Sequence, residues 1–441
     1  MFVEHRRRLL ELLRAERAAA VLPTATHKVR NHDSHYRFRP DSDFWYLTGF
    51  AEPEAVLVLV PRAGRSGPES VLFLREKDRE QEIWNGRRLG VTAAPAALGV
   101  DEARPIERLE QDLPALLEGC ERIMYRTGID ETRDRLMLET LSRLRARARG
   151  LVSPPIDLLD TAPLVHELRL KKTPAEVEIL RRAAAVTREA HLAAMDRARP
   201  GVRECEVDAA LEHAFRRLGS TGPAYTPIVA GGANATILHY VENDQVLRDG
   251  DLLLIDAGGE WEYYACDVTR TFPVGGRFSA DQRALYEVVL AAQLAAIDEV
   301  RPGAPFTAPH ERAVGVLCEG LVRHGLLPGP VEEVVRSASY RRFYMHRTSH
   351  WLGLDVHDCG AYARNGASRL LEPGMVLTVE PGLYVAPDDD TVEARWRGIG
   401  IRIEDDVLVT AAGNEMITQG IPKTVAEIES ARARRTLEPV G

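Results

Sequence analysis

Five residues between Leu252 and Glu404 carry side chains suited to hard divalent cations: Asp256, Asp267, His350, Glu380 and Glu404. Four carboxylates and one imidazole make a donor set that two cations sharing bridging ligands would satisfy. Crowded into one cleft without cations, those carboxylates would repel one another strongly. Taken singly, each reads more simply as a solvated turn residue at a strand end. Glu404, Asp405 and Asp406 also form an acidic run between two β segments, where a purely structural role predicts neutral or apolar alternation.

The elements that must position these groups are strands. Leu252–Ile255 runs into Asp256 and Met375–Val379 into Glu380, while Ile399, Ile401 and Ile403 alternate up to Glu404. With period two, Gly400, Arg402 and Glu404 face one way, into a common cleft. Gly250 and Gly374 each stand six positions before an acid, Asp256 and Glu380, with an apolar run between; the second acids follow after 11 and 24 residues, at Asp267 and Glu404. This echo reads as two related β units facing each other around a pseudo-twofold, although short apolar runs after glycine also recur by chance.

The segments Leu254-Ile-Asp-Ala-Gly258, Asp267-Val-Thr-Arg-Thr-Phe272, His346-Arg-Thr-Ser-His350, Gly353-Leu-Asp-Val-His-Asp358, Val379-Glu-Pro-Gly-Leu-Tyr384 and Gly400-Ile-Arg-Ile-Glu404 resemble the metal-binding segments of the pita-bread metallopeptidases. Asp41-Ser-Asp-Phe-Trp-Tyr-Leu-Thr-Gly-Phe50 and Glu82-Ile-Trp-Asn-Gly-Arg-Arg-Leu-Gly90 resemble the bacterial Xaa-Pro aminopeptidase (aminopeptidase P) branch. The resemblance spans nearly the whole chain, with its motifs in order. It implies an α/β (α+β) protein: a smaller α/β domain of ribonuclease-H-like topology, then a pita-bread fold whose curved antiparallel sheet carries the ligands.

The same resemblance implies two divalent cations per chain. Manganese is favoured by the oxygen-rich donor set, with cobalt, iron or zinc also able to occupy it. Asp256 would bind one cation and His350 the other, with Asp267 and Glu404 bridging. Glu380 would bind one and act as base toward a metal-bridging hydroxide, the nucleophile that attacks the peptide carbonyl. His239 and His357 match positions that contact substrate and stabilise the tetrahedral intermediate, and His346 one that contacts the residue after the scissile bond. Arg402 matches an arginine holding Asp256 or its neighbours, and Tyr384 is a further candidate near the substrate. The expected partners are peptides with proline at the second position and further copies of this chain, as a dimer or tetramer. A prolidase limited to dipeptides carries nearly the same site; a catalytically inactive binding protein is opposed by the presence of all five ligands.

Two positions are expected to shape the substrate pocket. Trp84 matches a loop that reaches across the oligomer in relatives, and equally fits an aromatic packed in its own domain. Arg347 stands where the family commonly has a small residue, usually glycine. It would carry a backbone cost of about 1 kcal/mol in a left-handed conformation, with its guanidinium either at the cleft mouth or in solvent. His5, His27, His191, His213, His310 and His324 have no such context and are expected at the surface.

At 441 residues, 45% hydrophobic, the chain suits about two domains. The net charge of −9 argues against nucleic acid or an anionic membrane as partner. Charges interrupt every apolar stretch of Met1–Arg14, so an amphipathic surface helix rather than a secretory leader is expected there. Five cysteines without CxxC spacing suit a reducing cytoplasm. Cys266 and Cys359 are expected as small buried hydrophobes. Residues 1–172 read as the amino-terminal domain, serving oligomerisation or substrate access, with a linker from Ser153-Pro-Pro155 to Lys172; residues 173–441 read as the catalytic domain. Thr173-Pro174-Ala175-Glu176, Ser279 with Gln282, and Thr424 with Glu427 are helix-starting capping boxes.

Overall fold

The computed structural model describes residues 1–62, 67–147, 155 and 157–435. Its contacts separate two compact units, Met1–Arg169 and Leu170–Gly441.

The first unit is built on a six-stranded mixed sheet in the order Glu102–Pro105, Ser70–Leu74, Val56–Leu59, Ala18–Pro23, Arg122–Met124, Asp157–Leu159. Val56–Leu59 runs antiparallel to both neighbours and the remaining pairs are parallel. Val56–Leu59 and Ser70–Leu74 are buried along their whole length, as their unbroken apolar runs require of strands covered on both faces. Helix Phe2–Glu16 does present a charged outer face, but its inner one buries more than leucines. His5, expected at the surface, is fully buried, stacks on the Tyr46 ring at 3.9 Å and donates from Nδ1 to the Tyr46 carbonyl oxygen at 2.8 Å.

Residues 157–170 are not a linker. Asp157–Leu159 forms the edge strand beside Arg122–Met124, and Ala162–Leu170 is a helix. Arg169 on that helix is buried against Asp43 at 2.7 Å, and His166 meets the other Asp43 oxygen at 3.2 Å. The segment reads as connector because its elements are short and follow prolines; tertiary pairing overrides that local signal. Ser153 and Pro154 lie outside the described residues.

In the second unit the three capping boxes form as the sequence requires, opening helices Pro174–Arg197, Ala280–Asp298 and Val425–Arg435. These helices and Glu204–Arg217 pack apolar faces onto strands whose inward residues include Leu253, Ile255, Phe272, Leu377, Val379, Ile401 and Ile403. The strands form antiparallel pieces rather than one continuous ladder. Leu252–Asp256 lies between Ile228–Gly231 and Thr269–Pro273; Val376–Val379 pairs with Asp405–Thr410, which pairs with Gly413–Met416; Gly382–Tyr384 pairs with Gly400–Arg402. Gly250 and Gly374 both have left-handed backbones, φ +87° and +92°, so the echoed glycines turn the chain into the two acid-bearing strands. His191 is buried beneath this sheet, donating from Nε2 to the Ala257 carbonyl at 2.9 Å, and burial holds its pKa down to about 4. The outward expectation fails for His5 and His191 for one reason: each finds a backbone acceptor that satisfies a neutral imidazole.

Candidate metal centre and active site

Register explains how the acids meet. Asp256 ends its strand opposite Thr269 on the antiparallel neighbour, and Asp267, two residues earlier on that neighbour, shares the face of Thr269. In the other strand pair Val379 faces Asp405, and the Ile403 amide bonds to the Pro381 carbonyl at 3.3 Å, so Glu380 and Glu404 stand opposite each other. The Glu404 amide donates to the Thr269 carbonyl at 3.1 Å, stitching the two pairs together. His350 arrives on a segment held beside Val376–Val379 by three backbone bonds: Glu380 to Thr348 at 2.8 Å, Thr378 to His350 at 3.0 Å and Leu352 to Val376 at 3.1 Å.

One basin results. One donor atom each from Asp267, His350 and Glu404 lies within 4.8 Å of the other two. Asp256 joins them through the Tyr225 hydroxyl, which contacts Asp256 Oδ1 at 2.6 Å and Asp267 Oδ1 at 2.5 Å. His350 donates from Nδ1 to the Trp351 carbonyl at 3.0 Å, which turns Nε2 toward Asp267 Oδ2 at 3.4 Å and Glu380 Oε1 at 3.8 Å. The Arg402 guanidinium holds Asp256 Oδ2 at 2.7 Å, and Thr269 donates to Glu404 Oε2 at 2.7 Å. Asp405, the next acid of the run, faces away from the basin onto Arg270 at 2.7 Å and Lys423 at 2.8 Å.

Electrostatics marks the basin as short of positive charge. Burial raises Glu380 to about 7, partly offset by His350 and Arg402. Burial and the neighbouring acids raise Asp256, and Glu404 well above the usual carboxylate range. Asp267 runs the other way: burial raises it, but the His350 and Tyr225 hydrogen bonds leave it below its ordinary value. His350 is depressed by burial, yet the Asp267 hydrogen bond and the Glu380 charge carry it up to about 9. A site that forces carboxyls to keep protons, with oxygen donors and one imidazole converging, fits divalent cations as the missing charge.

This has a measurable consequence for the metal-stripped protein. With Glu380, Asp256 and Glu404 raised, the folded chain holds protons that the unfolded chain has released between about pH 4.3 and 7. Their contribution to stability is complete below the unfolded value and is lost as pH rises toward 7. Metal-stripped protein should therefore lose Tm across that window, and manganese-loaded protein should lose less because cation binding needs the deprotonated forms. Parallel Tm curves for the two preparations would contradict the assignment.

The other expected groups surround a cleft of about 430 Å³ lined by the five candidate ligands, His239, His346, Arg347, His357, Arg402 and the apolar Ile228, Leu238, Val241 and Val356. His239 and His357 are exposed on its wall, the His357 ring 4.4 Å from that of His350. Burial lowers His346 to about 4, so it is neutral. Its Nδ1–H donates to the Arg347 carbonyl at 2.8 Å, leaving Nε2 to accept from the Tyr384 hydroxyl at 2.9 Å. That hydroxyl accepts from Arg402 at 3.0 Å. Tyr384 is thus buried behind His346 rather than lining the cleft, and its effect on substrate passes through His346.

Arg347 does line the cleft, without positive φ, so the expected backbone strain does not arise. Trp84 is 83% exposed and its neighbour Ile83 81%, on a helix, Arg79–Asn85, with no buried residue; packing within its own domain is not its role. His310 departs from the surface expectation, its Nδ1 2.8 Å from Thr348 Oγ1. Cys266 is buried as expected and Cys359 only partly. Tyr225 and Thr269 also belong to the centre, beyond the residues expected from sequence. Tyr225 contacts acids 31 and 42 residues away, a tertiary relation no local spacing signals; Thr269 stood two residues after Asp267 on the same strand face and was findable by that period.

Comparison with known proteins decides the family. The model of metallopeptidase family M24 matches residues 178–411, and that of the aminopeptidase P N-terminal domain residues 2–131. The chain belongs to metallopeptidase family M24. Membership makes it a metal-dependent peptide hydrolase in which the family's pita-bread domain follows, along the chain, an aminopeptidase-P-type α/β domain. It is 46% identical over 429 residues to the Xaa-Pro aminopeptidase of Escherichia coli (strain K12), covering 97% of this chain and 96% of that one. The structure of Pseudomonas aeruginosa aminopeptidase PepP superposes with a TM-score of 0.95 at 48% identity, covering 99% and 98% of the two chains. Zinc-substituted E. coli aminopeptidase P in complex with product superposes with a TM-score of 0.94 at 45% identity, covering 98% of each.

Proposed function

We propose that this protein is an Xaa-Pro aminopeptidase, releasing the amino-terminal residue of peptides whose second residue is proline. The observation that carries the reading is the single basin in which Asp256, Asp267, His350, Glu380 and Glu404 converge. In our assignment Asp256, Asp267, His350, Glu380 and Glu404 would hold two divalent cations, and the oxygen-rich donor set favours manganese. Bound there, such a pair lowers the pKa of a water and polarises the scissile carbonyl.

The chain's own groups do the rest. Glu380 takes the proton as the water oxygen adds to the carbonyl carbon, then passes it to the proline nitrogen as the C–N bond breaks. His239 and His357, on the cleft wall, donate to the oxygen that gains charge. Arg402 orients Asp256, and neutral His346, fixed by Tyr384, contacts the prolyl side. Proline lacks an N–H and has a fixed φ, so apolar walls and imidazoles select it by shape.

The remaining assignments follow from the same reading. Residues 173–441 carry the catalysis and residues 1–172 serve assembly, where exposed Ile83 and Trp84 support a homo-oligomer, a dimer or tetramer, with Trp84 completing the neighbour's pocket. Five cysteines without CxxC spacing support work in a reducing cytoplasm. Among the described residues no helix is long and apolar enough to cross a membrane. The test is an Xaa-Pro tripeptide against the matching Xaa-Pro dipeptide with manganese added. Release of the first residue from the tripeptide is expected; hydrolysis of the dipeptide alone would identify a prolidase instead.

A further inference from the structure

Charge in the cleft is sorted. Asp256, Asp267, Glu380 and Glu404 form its acidic part, and the guanidinium of Arg402 is committed to Asp256 and Tyr384. Arg347 lines the same cleft, is exposed, and makes no side-chain hydrogen bond or ion pair among the described residues. Its backbone is fixed: the Arg347 carbonyl accepts from His346, and the next residue, Thr348, is buried, accepts the Glu380 amide at 2.8 Å and has its hydroxyl 2.8 Å from His310 Nδ1 and 2.5 Å from the Tyr344 hydroxyl. A rigid base beside the acidic basin thus carries a free planar fork.

Exposed Arg341 is likewise without a side-chain partner. Both guanidiniums act on His310, which burial and then Arg347 hold down to about 4, against the opposing charge of Glu311. Beside the acidic basin an uncommitted guanidinium thus lines the cleft. A peptide lying along it is oriented by its own ends: the amino-terminal ammonium is drawn to the acids and a carboxylate to the arginine.

We infer that Arg347 binds a substrate carboxylate beyond the scissile bond and so selects peptides that carry a negative charge there, either the carboxyl terminus of a short peptide or an acidic side chain of a longer one. Guanidinium geometry suits this, since its fork meets both carboxylate oxygens at once. The inference rests on the proposed peptidase reading, so the experiment separates the two.

The probes are Ala-Pro-Ala as free acid, Ala-Pro-Ala amide and Ala-Pro-Asp amide, measured for kcat/KM with manganese-loaded wild type and Arg347→Met. Dissociation constants are measured in a Glu380→Gln background, which slows cleavage, with and without Arg347→Met. Free acid should bind about five- to tenfold tighter than the amide; Arg347→Met should bring the ratio to near one, and Arg347→Lys should retain part of it. Restored binding of Ala-Pro-Asp amide identifies an acidic side chain as an accepted source, and its failure restricts the site to a terminal carboxylate. An acid-to-amide ratio equal in the two backgrounds overturns the inference. Failure of wild type to cleave any probe, with the binding difference intact, overturns the peptidase reading and leaves the Arg347 site standing.

Discussion

Glu380→Gln is expected to lower kcat by about a thousandfold while the protein remains folded and able to bind cations. Burial lifts the Glu380 carboxyl to about 7, the range in which a base can take a proton and give it back at neutral pH. Its oxygens lie 3.8 Å from His350 Nε2 and 3.7 Å from His346 Nδ1, between a candidate ligand and a cleft-wall imidazole. Glutamine keeps the volume and one oxygen donor but cannot accept the proton. Because the acidic carboxyl is raised rather than lowered, removing its charge relieves repulsion in the basin and costs the fold little. Steady-state kinetics of the metal-loaded variant, with cation content measured on the same sample, makes the comparison. A Gln variant that turns over at the wild-type rate removes Glu380 from the mechanism.

The second large effect is an ordering in metal content. Asp256→Asn and Glu404→Gln should each lose cations under conditions in which His357→Ala retains them. The first two replace carboxylates that face the basin, whose burial beside other acids raises both; His357 is exposed on the wall, its ring 4.4 Å from that of His350. Loss of a direct ligand should weaken binding by more than the roughly ten- to hundredfold that groups behind the ligands typically contribute. Equal cation content in all three purified variants means the ligand and wall roles have been exchanged.

Much of this arrangement was legible because it obeys short-range rules. Asp256, Glu380 and Glu404 stand at the ends of apolar runs, and the resemblance to metallopeptidase segments joins Asp267 and His350 to them, so the set could be read before any fold was known. The capping boxes at Thr173, Ser279 and Thr424 mark helix starts through bonds made within four residues. What the chain hides is tertiary. Asp405 sits in the same acidic run as Glu404, yet strand alternation sends it to the opposite face, where Arg270 and Lys423 neutralise it. Tyr225 has no motif around it, and His5 and His191 are polar residues whose burial depends on a carbonyl supplied from 41 and 66 residues away. Residues 157–170 look like a connector until Arg122–Met124 offers an edge to pair with.

The most direct test is a calorimetric titration of metal-stripped wild type with manganese, activity on an Xaa-Pro tripeptide being followed in the same samples. Two cations should bind per chain, with proton release at neutral pH because raised carboxyls must be emptied, and activity should disappear with chelator and return with the cation. Full activity in protein shown to contain no metal would contradict this.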